Sequence, residues 1–232
     1  MERGGTVSGI VVAIDGPSGS GKSTIARRIA RHYALAYLDT GAMYRALAWW
    51  ALQEQVELTD ADAVVRCAEN MDLVMDTDPV TPRVLVGQVP VTDYLHTAEI
   101  SRVVSQVAVN LKVRALMKQW QRAIIEQEAQ RRGIVAEGRD ITTVVAPDAD
   151  VRILLIASEE ARLARRALQR HGQADATAIA ATRDEVVRRD ADDSTVSEFR
   201  QAADGVVTID SSHLTLEETF AQAQAVVDSV RR

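Results

Sequence analysis

Residues Gly16 to Thr24 read "GPSGSGKST", a match to G-x-x-x-x-G-K-[ST]. This spacing suits one chemistry, the cradling of phosphate. Glycines let the backbone curl so that successive N–H groups point inward at oxygen atoms. A following helix adds its positive dipole end. Lys22 would hold the β- and γ-phosphates of a nucleotide, and the Ser23 hydroxyl would ligate Mg²⁺. Gly16, Pro17, Ser18, Gly19, Ser20, Gly21, Lys22, Ser23 and Thr24 are therefore the candidate ATP-binding loop.

Such a loop serves GTPases, motors, transporters and small-molecule kinases alike. Guanine is normally read by N-K-x-D, and the chain contains no Asn-Lys pair. A kinase of a phosphorylated acceptor must screen two anions brought together, and guanidinium matches phosphate bidentately. It must also exclude water with a lid. Candidate arginines are present. Arg45 lies about 200° around its helix from Met43 and from Leu47, so it should point away from the core stripe. Arg139 and Asp140, in "EGRD", follow an expected strand, where ligands of open α/β sheets gather. Arg114 ends "SQVAVNLKVR", and "RRDADDST" spans Arg188 to Thr195. Arg162, Arg165, Arg166 and Arg170 fall within nine positions.

The elements that must position these groups are legible in the hydrophobic pattern. Ile10 to Ile14 is a β-branched run, as in a buried parallel strand. A helix is expected from about Ser23 to Ala34, a strand over "AYLD", and a helix from Thr40 to about Gln55. Gly133 to Gly138, Val151 to Ile156 and Gly205 to Asp210 read as three more strands, and Leu216 to Val230 as a closing helix. The alternation implies an α/β fold with a five-stranded parallel sheet. Two segments break the rhythm. Around residues 59–106, alternation and the Gly87 turn suggest a small antiparallel insert. Residues 158–195 are charged and helical, with a break at Gly172.

Bulk properties agree with a globular enzyme. The 232 residues are 47% hydrophobic and 26% charged, with a formal net charge of −6. That charge argues against non-specific nucleic-acid binding. No apolar run approaches a membrane span, and "MERGGTVSG" lacks a signal-peptide core. The single cysteine, Cys67, fits a reducing cytoplasm and a buried thiol.

Taken together, "IDGPSGSGKST", "YLDTGAMYRALA", "SQVAVNLKVR", "VAEGRDITTVVAPDADVRILLIAS" and "RRDADDST" resemble the bacterial cytidylate kinase (CMP/dCMP kinase) family of P-loop kinases, from Val11 to the last helix. The resemblance implies a three-layer P-loop kinase fold. Its parts would be a core with the P-loop (1–58), a CMP-binding insert (59–106), more core (107–157), a lid (158–195) and a closing strand and helix (196–232). It implies Thr40, Arg45 and Arg139 at the acceptor phosphate, and Ser105, Arg189 and Asp193 around the pentose. Arg114 and Asp140 would sit at the cytosine, whose N4 amino group a carboxylate accepts well. Tyr44, one turn from Thr40, can line that wall or brace it. Arg162, Arg165 and Arg166 match a lid helix closing over ATP. Lys22, Arg45, Arg139, Arg162 and Arg166 would be the catalytic set, Ser23 the metal ligand and Mg²⁺ the cofactor. The expected partners are ATP and CMP or dCMP, with neither nucleic acid nor membrane, in a cytoplasmic monomer.

Two departures stand out. Val196 occupies the position of a family arginine, and Glu198-Phe199 stands where Pro-Leu is expected, in a segment about two residues short. Arg200 can substitute if that loop turns inward. Thr142 replaces a common glycine, either as a harmless change or by narrowing the site floor. Two other readings keep the loop: a kinase of another small acceptor such as UMP, and a non-catalytic ATP-binding regulator. The second has no use for Arg45, Arg114 and Arg139.

Overall fold

A computed structural model describes residues 9–173, 175–197, 199 and 201–230, with the side chains at 169–171, 181, 184–186, 189 and 193 outside that description. Five parallel strands form the central sheet: β1 (Val11–Asp15), β2 (Ala36–Asp39), β6 (Ile134–Gly138), β7 (Val151–Ile156) and β8 (Val207–Asp210). Their order is β2-β6-β1-β7-β8. Strand alternation divides their side chains between two cores. Val12, Ile14, Tyr37, Val135, Ile153 and Leu155 face one side, with α1 (Lys22–His32) and α8 (Leu216–Val230). Ala13, Ala36, Leu38, Ile134 and Ala136 face the other, with α2 (Thr40–Gln53). The three layers follow from burying both faces of a parallel sheet.

The anticipated strands and helices are present, with ends moved by up to two residues. The first strand runs one residue further than Ile14, because Asp15 still pairs with Gly138 and Leu154. Helix α2 stops at Gln53, where the chain turns back through a left-handed Gln55 (φ 55°).

The 59–106 segment holds the expected antiparallel unit, β3 (Leu73–Met75), β4 (Val84–Val86) and β5 (Val89–Pro90), turning at Gly87. It is also helical at both ends, in α3 (Ala61–Glu69) and α4 (Ala98–Ala108). Neither helix was read from the sequence, nor was α5 (Leu111–Ala129). Their start signals are ordinary caps: Asp60 accepts from the Asp62 and Ala63 amides, and Asn110 from Lys112 and Val113. The charged segment forms α6 (Glu159–His171), which ends at Gly172, and α7 (Ala176–Ser194). No helix among the described residues is long and apolar enough to cross a membrane.

Candidate active site

The carboxyl ends of β1, β2 and β6 open onto a cleft of about 1360 Å³. The loop from Ser18 to Thr24 forms one wall. Thr40, Tyr44, Arg45, Ser105, Arg114, Arg139 and Asp140 also line the cleft, as do Arg165 and Arg166 of α6. Candidate residues spread over more than 140 positions of sequence thus share one cavity, at the strand ends where open α/β sheets collect ligands.

Each wall residue is fixed by a neighbour. Asp39 ends β2 and caps α2 by accepting from the Ala42 amide at 3.0 Å. That cap sets Thr40 at the helix start, and its hydroxyl donates to the Glu137 carbonyl at 2.7 Å. Gly138 follows, and the fit is close: a Cβ there would lie 2.5 Å from Thr40 Oγ1. Arg114 Nη2 donates to Asp140 Oδ2 at 2.5 Å, and the guanidinium carbon sits 5.9 Å from the centre of the Tyr44 ring. Tyr44 therefore braces Arg114 as well as lining the wall.

Arg45 points away from the Met43 and Leu47 stripe, as the helix wheel expects, yet it is only 3% exposed. Its Nη1 donates to the Leu95 carbonyl (2.8 Å) and to Ser101 Oγ (3.2 Å), between α2 and α4. The wheel located the sheet-facing stripe correctly, as Met43 and Leu47 are fully buried. The insert covers the opposite face of α2, which no sequence period could reveal. Arg165 is likewise a brace: it donates to the Ser20 carbonyl (3.2 Å), Ser211 Oγ (2.9 Å) and the Ser211 carbonyl (2.5 Å). Arg189 and Asp193 fall on α7, and their side chains lie outside the described residues, as does Arg200.

Four acids near the site went unread as site residues. Asp15 accepts from the Ile141 amide (2.9 Å), the Thr142 amide (2.8 Å) and the Thr142 hydroxyl (2.6 Å). Burial pushes its carboxyl up to about 6, against these donors. Glu137, buried beside Asp39, is pushed up to about 7 by burial and by that neighbour's charge, with Lys22 and the Ser23 hydroxyl opposing. Asp190, on α7, accepts from Arg139, Arg162 and the Ser18 amide. Its burial opposes ionisation, but the Arg139 and Arg162 charges and the Ser18 amide outweigh it and hold the carboxyl below its usual range. The signal that could have found them is position: Asp15 and Asp39 end strands, Glu137 is the last residue but one of β6, and Asp190 sits inside a motif already singled out.

A family model described as cytidylate kinase matches residues 12–229. The chain belongs to the cytidylate kinase family. A cytidylate kinase of Streptomyces avermitilis is 39% identical over 234 residues, covering 100% of this chain and 99% of that protein. One from Cutibacterium acnes is 42% identical over 226 residues, covering 97% of each. One from Nocardia farcinica is 42% identical over 220 residues, covering 94% of this chain and 93% of that protein.

Both departures from the cytidylate kinase pattern have a structural reading. Thr142 does not narrow the cleft floor. It is 3% exposed and turned toward Asp15, tying the end of β1 to the π-helical turn Ile141–Val145 that follows "GRD". Phe199, in place of the expected leucine, is 1% exposed, with its ring centre 4.3 Å from the Arg139 guanidinium carbon. Cys67 is buried as expected, and burial pushes its thiol up to about 11.

Proposed function

We propose that this chain transfers the γ-phosphoryl group of ATP to CMP or dCMP, giving ADP and CDP or dCDP, by direct in-line displacement. The observation that carries this reading is the Arg114–Asp140 pair facing the phosphate loop across one cleft. In this reading the loop amides and Lys22 hold the donor phosphates, and Thr40, Arg45 and Arg139 orient the acceptor phosphate. Arg162 and Arg166 screen charge as the phosphoryl group crosses. Catalysis is then alignment and electrostatic stabilisation, with no covalent phosphoenzyme. Asp140 accepts from the cytosine N4 amino group, and uracil would set an oxygen against the carboxylate. Ser105, Arg189 and Asp193 belong to the pentose side of the same proposal. Phe199 supports Arg139 in place of the missing arginine at Val196.

The residues present suit a hard cation. Ser23 is exposed at the start of α1, and the Asp39 and Glu137 carboxylates lie beside it at the strand ends. Mg²⁺ bound with ATP would neutralise charge on the β- and γ-oxygens. Ser23 would hold it, while Lys22 fixes the phosphates from the other side. A cytoplasmic monomer is part of the same proposal.

The test is an ADP-release assay with Mg²⁺-ATP against CMP, dCMP, UMP and AMP. Turnover with CMP and dCMP at least tenfold above UMP is expected. No turnover with any pyrimidine monophosphate overturns the reading. Lys22→Ala should abolish turnover while leaving the circular dichroism spectrum unchanged.

A further inference from the structure

Helix α7 carries Asp190 to the junction of the donor loop and the acceptor wall. Its side chain is only 3% exposed. Oδ1 accepts from Arg139 Nη1 at 2.8 Å and from the Ser18 amide at 3.1 Å. Oδ2 accepts from Arg162 Nη1, which also donates to the Ser18 carbonyl at 3.0 Å. One carboxylate thus joins the end of β6, the phosphate loop and both lid helices. The lid rests directly on the loop, since a Cβ on Gly19 (φ 78°) would come within 2.7 Å of the Arg162 carbonyl oxygen. Phe199 supports Arg139 by its ring, as noted above. Arg162 keeps its buried Nε without an acceptor among the described residues.

We propose that Asp190 is a positioning residue for phosphoryl transfer, holding Arg139 and Arg162 at the transfer point and the lid on the phosphate loop. The inference rests on the kinase reading. Two guanidiniums at a buried junction repel unless an anion lies between them. Nucleotides bring that anion, but only after binding. Asp190 supplies it beforehand, accepting from two guanidiniums and one loop amide as phosphate oxygens do. Arg162 is held by one edge, through Nη1, against both Asp190 and the Ser18 carbonyl. The arginines are therefore oriented before the substrates arrive, which is where preorganisation acts on rate. A residue acting this way should influence kcat more than substrate KM.

The test combines hydrogen exchange of the nucleotide-free protein with kinetics of Asp190→Asn, Arg162→Ala and the double variant. In the parent the Ser18 amide should be protected. Asp190→Asn should speed its exchange at least tenfold, lower kcat at least tenfold and leave KM for CMP within threefold. The double variant should be no more than threefold worse than Arg162→Ala alone, because the two groups act as one unit. Unchanged Ser18 exchange, or losses that multiply in the double variant, would overturn the proposal. If Asp190→Asn fails to fold, Asp190→Glu keeps the charge and misplaces it, and the same readouts apply. A parent that folds but does not use CMP sinks the kinase reading, while Ser18 exchange still decides the role of Asp190.

Discussion

Arg114 and Asp140 meet at 2.5 Å, with side chains only 13% and 15% exposed, in the wall of the cleft that also holds the phosphate loop. A pair so little solvated is oriented before any base arrives. Arg114 spends a further donor on the Ala108 carbonyl at 3.1 Å, so it is held from α4 as well. Asp140→Ala removes a charge-assisted acceptor and strands a mostly buried guanidinium. The expected loss in kcat/KM for CMP is about 2–3 kcal/mol, or roughly 30–150-fold. KM for ATP should stay within threefold. The CMP-to-UMP preference should shrink, because the repulsion of the uracil oxygen goes with the carboxylate. Steady-state kinetics with both monophosphates measures this, and an equal loss for CMP and UMP would contradict the base-reading role.

Arg45 both lines the cleft and braces the fold. Its guanidinium ties α2 to the Leu95 carbonyl and the Ser101 hydroxyl at a fully packed interface. Arg45→Ala should therefore cost about 2–4 kcal/mol in urea unfolding, besides weakening CMP use. Ser101→Ala removes one acceptor and should cost about 1 kcal/mol. Its kinetic effect should appear in KM for CMP, since Arg45 Nη1 keeps the Leu95 carbonyl but loses the second acceptor that helps orient it, with its charge unchanged. An Arg45→Ala protein as stable as the parent would show that the contact to α4 carries little.

How far the site was legible depended on which forces set each part. The phosphate loop is a local device, because glycine spacing, Lys22 and a helix start lie within nine residues. The parallel strands could be read from β-branched runs buried on both faces. The direction of Arg45 was legible but its burial was not, because a helical period locates the sheet-facing stripe but not a second layer laid over the other side of α2. Asp15, Glu137 and Asp190 were missed for a related reason. A buried acid is recognisable only by its donors; those of Asp15 lie more than 120 positions away, and those of Asp190 come from three separate segments, 28 to 172 positions away. Thr142 could be read either as a harmless change or as narrowing the floor while its partner, Asp15, was unknown.

The burial of Asp15, which its bonds to Thr142 only partly offset, predicts a pH dependence of unusual sign. Burial raises the folded-state value of Asp15 from 3.8 to about 6. Between those values the folded protein keeps the proton and the unfolded chain releases it. The contribution of this group is thus fully present below about pH 4 and is lost as pH rises toward 6, by about 3 kcal/mol in all. Asp15→Asn has no such titration. Its stability relative to the parent should rise by about 2 kcal/mol from pH 4 to pH 6, whatever offset the lost hydrogen bonds add. Thr142→Gly removes a donor that favours the ionised form, so its loss of stability should extend to higher pH than in the parent. Urea midpoints across pH 4–8 test both, and a parent-like pH profile for Asp15→Asn would refute the account.

Gly138 and Thr40 make the last prediction, because their contact admits no Cβ. A methyl group at residue 138 would lie 2.5 Å from Thr40 Oγ1 and 2.8 Å from Ile141 Cδ1. Thr40 cannot yield freely, since its hydroxyl donates to the Glu137 carbonyl at 2.7 Å and the side chain is 3% exposed. Gly138→Ala should therefore cost about 1–3 kcal/mol of stability and move Arg139 and Asp140, which follow directly. Thr40→Ala removes the obstructing oxygen at a cost of about 1 kcal/mol for its hydrogen bond. In the double variant that oxygen no longer opposes the new methyl, and only the flexible end of Ile141 must shift. The two losses should then be less than additive, with part of the Gly138→Ala loss in CMP kinetics restored. Strictly additive losses in urea unfolding would mean that Ile141, rather than Thr40, sets the closeness of this corner.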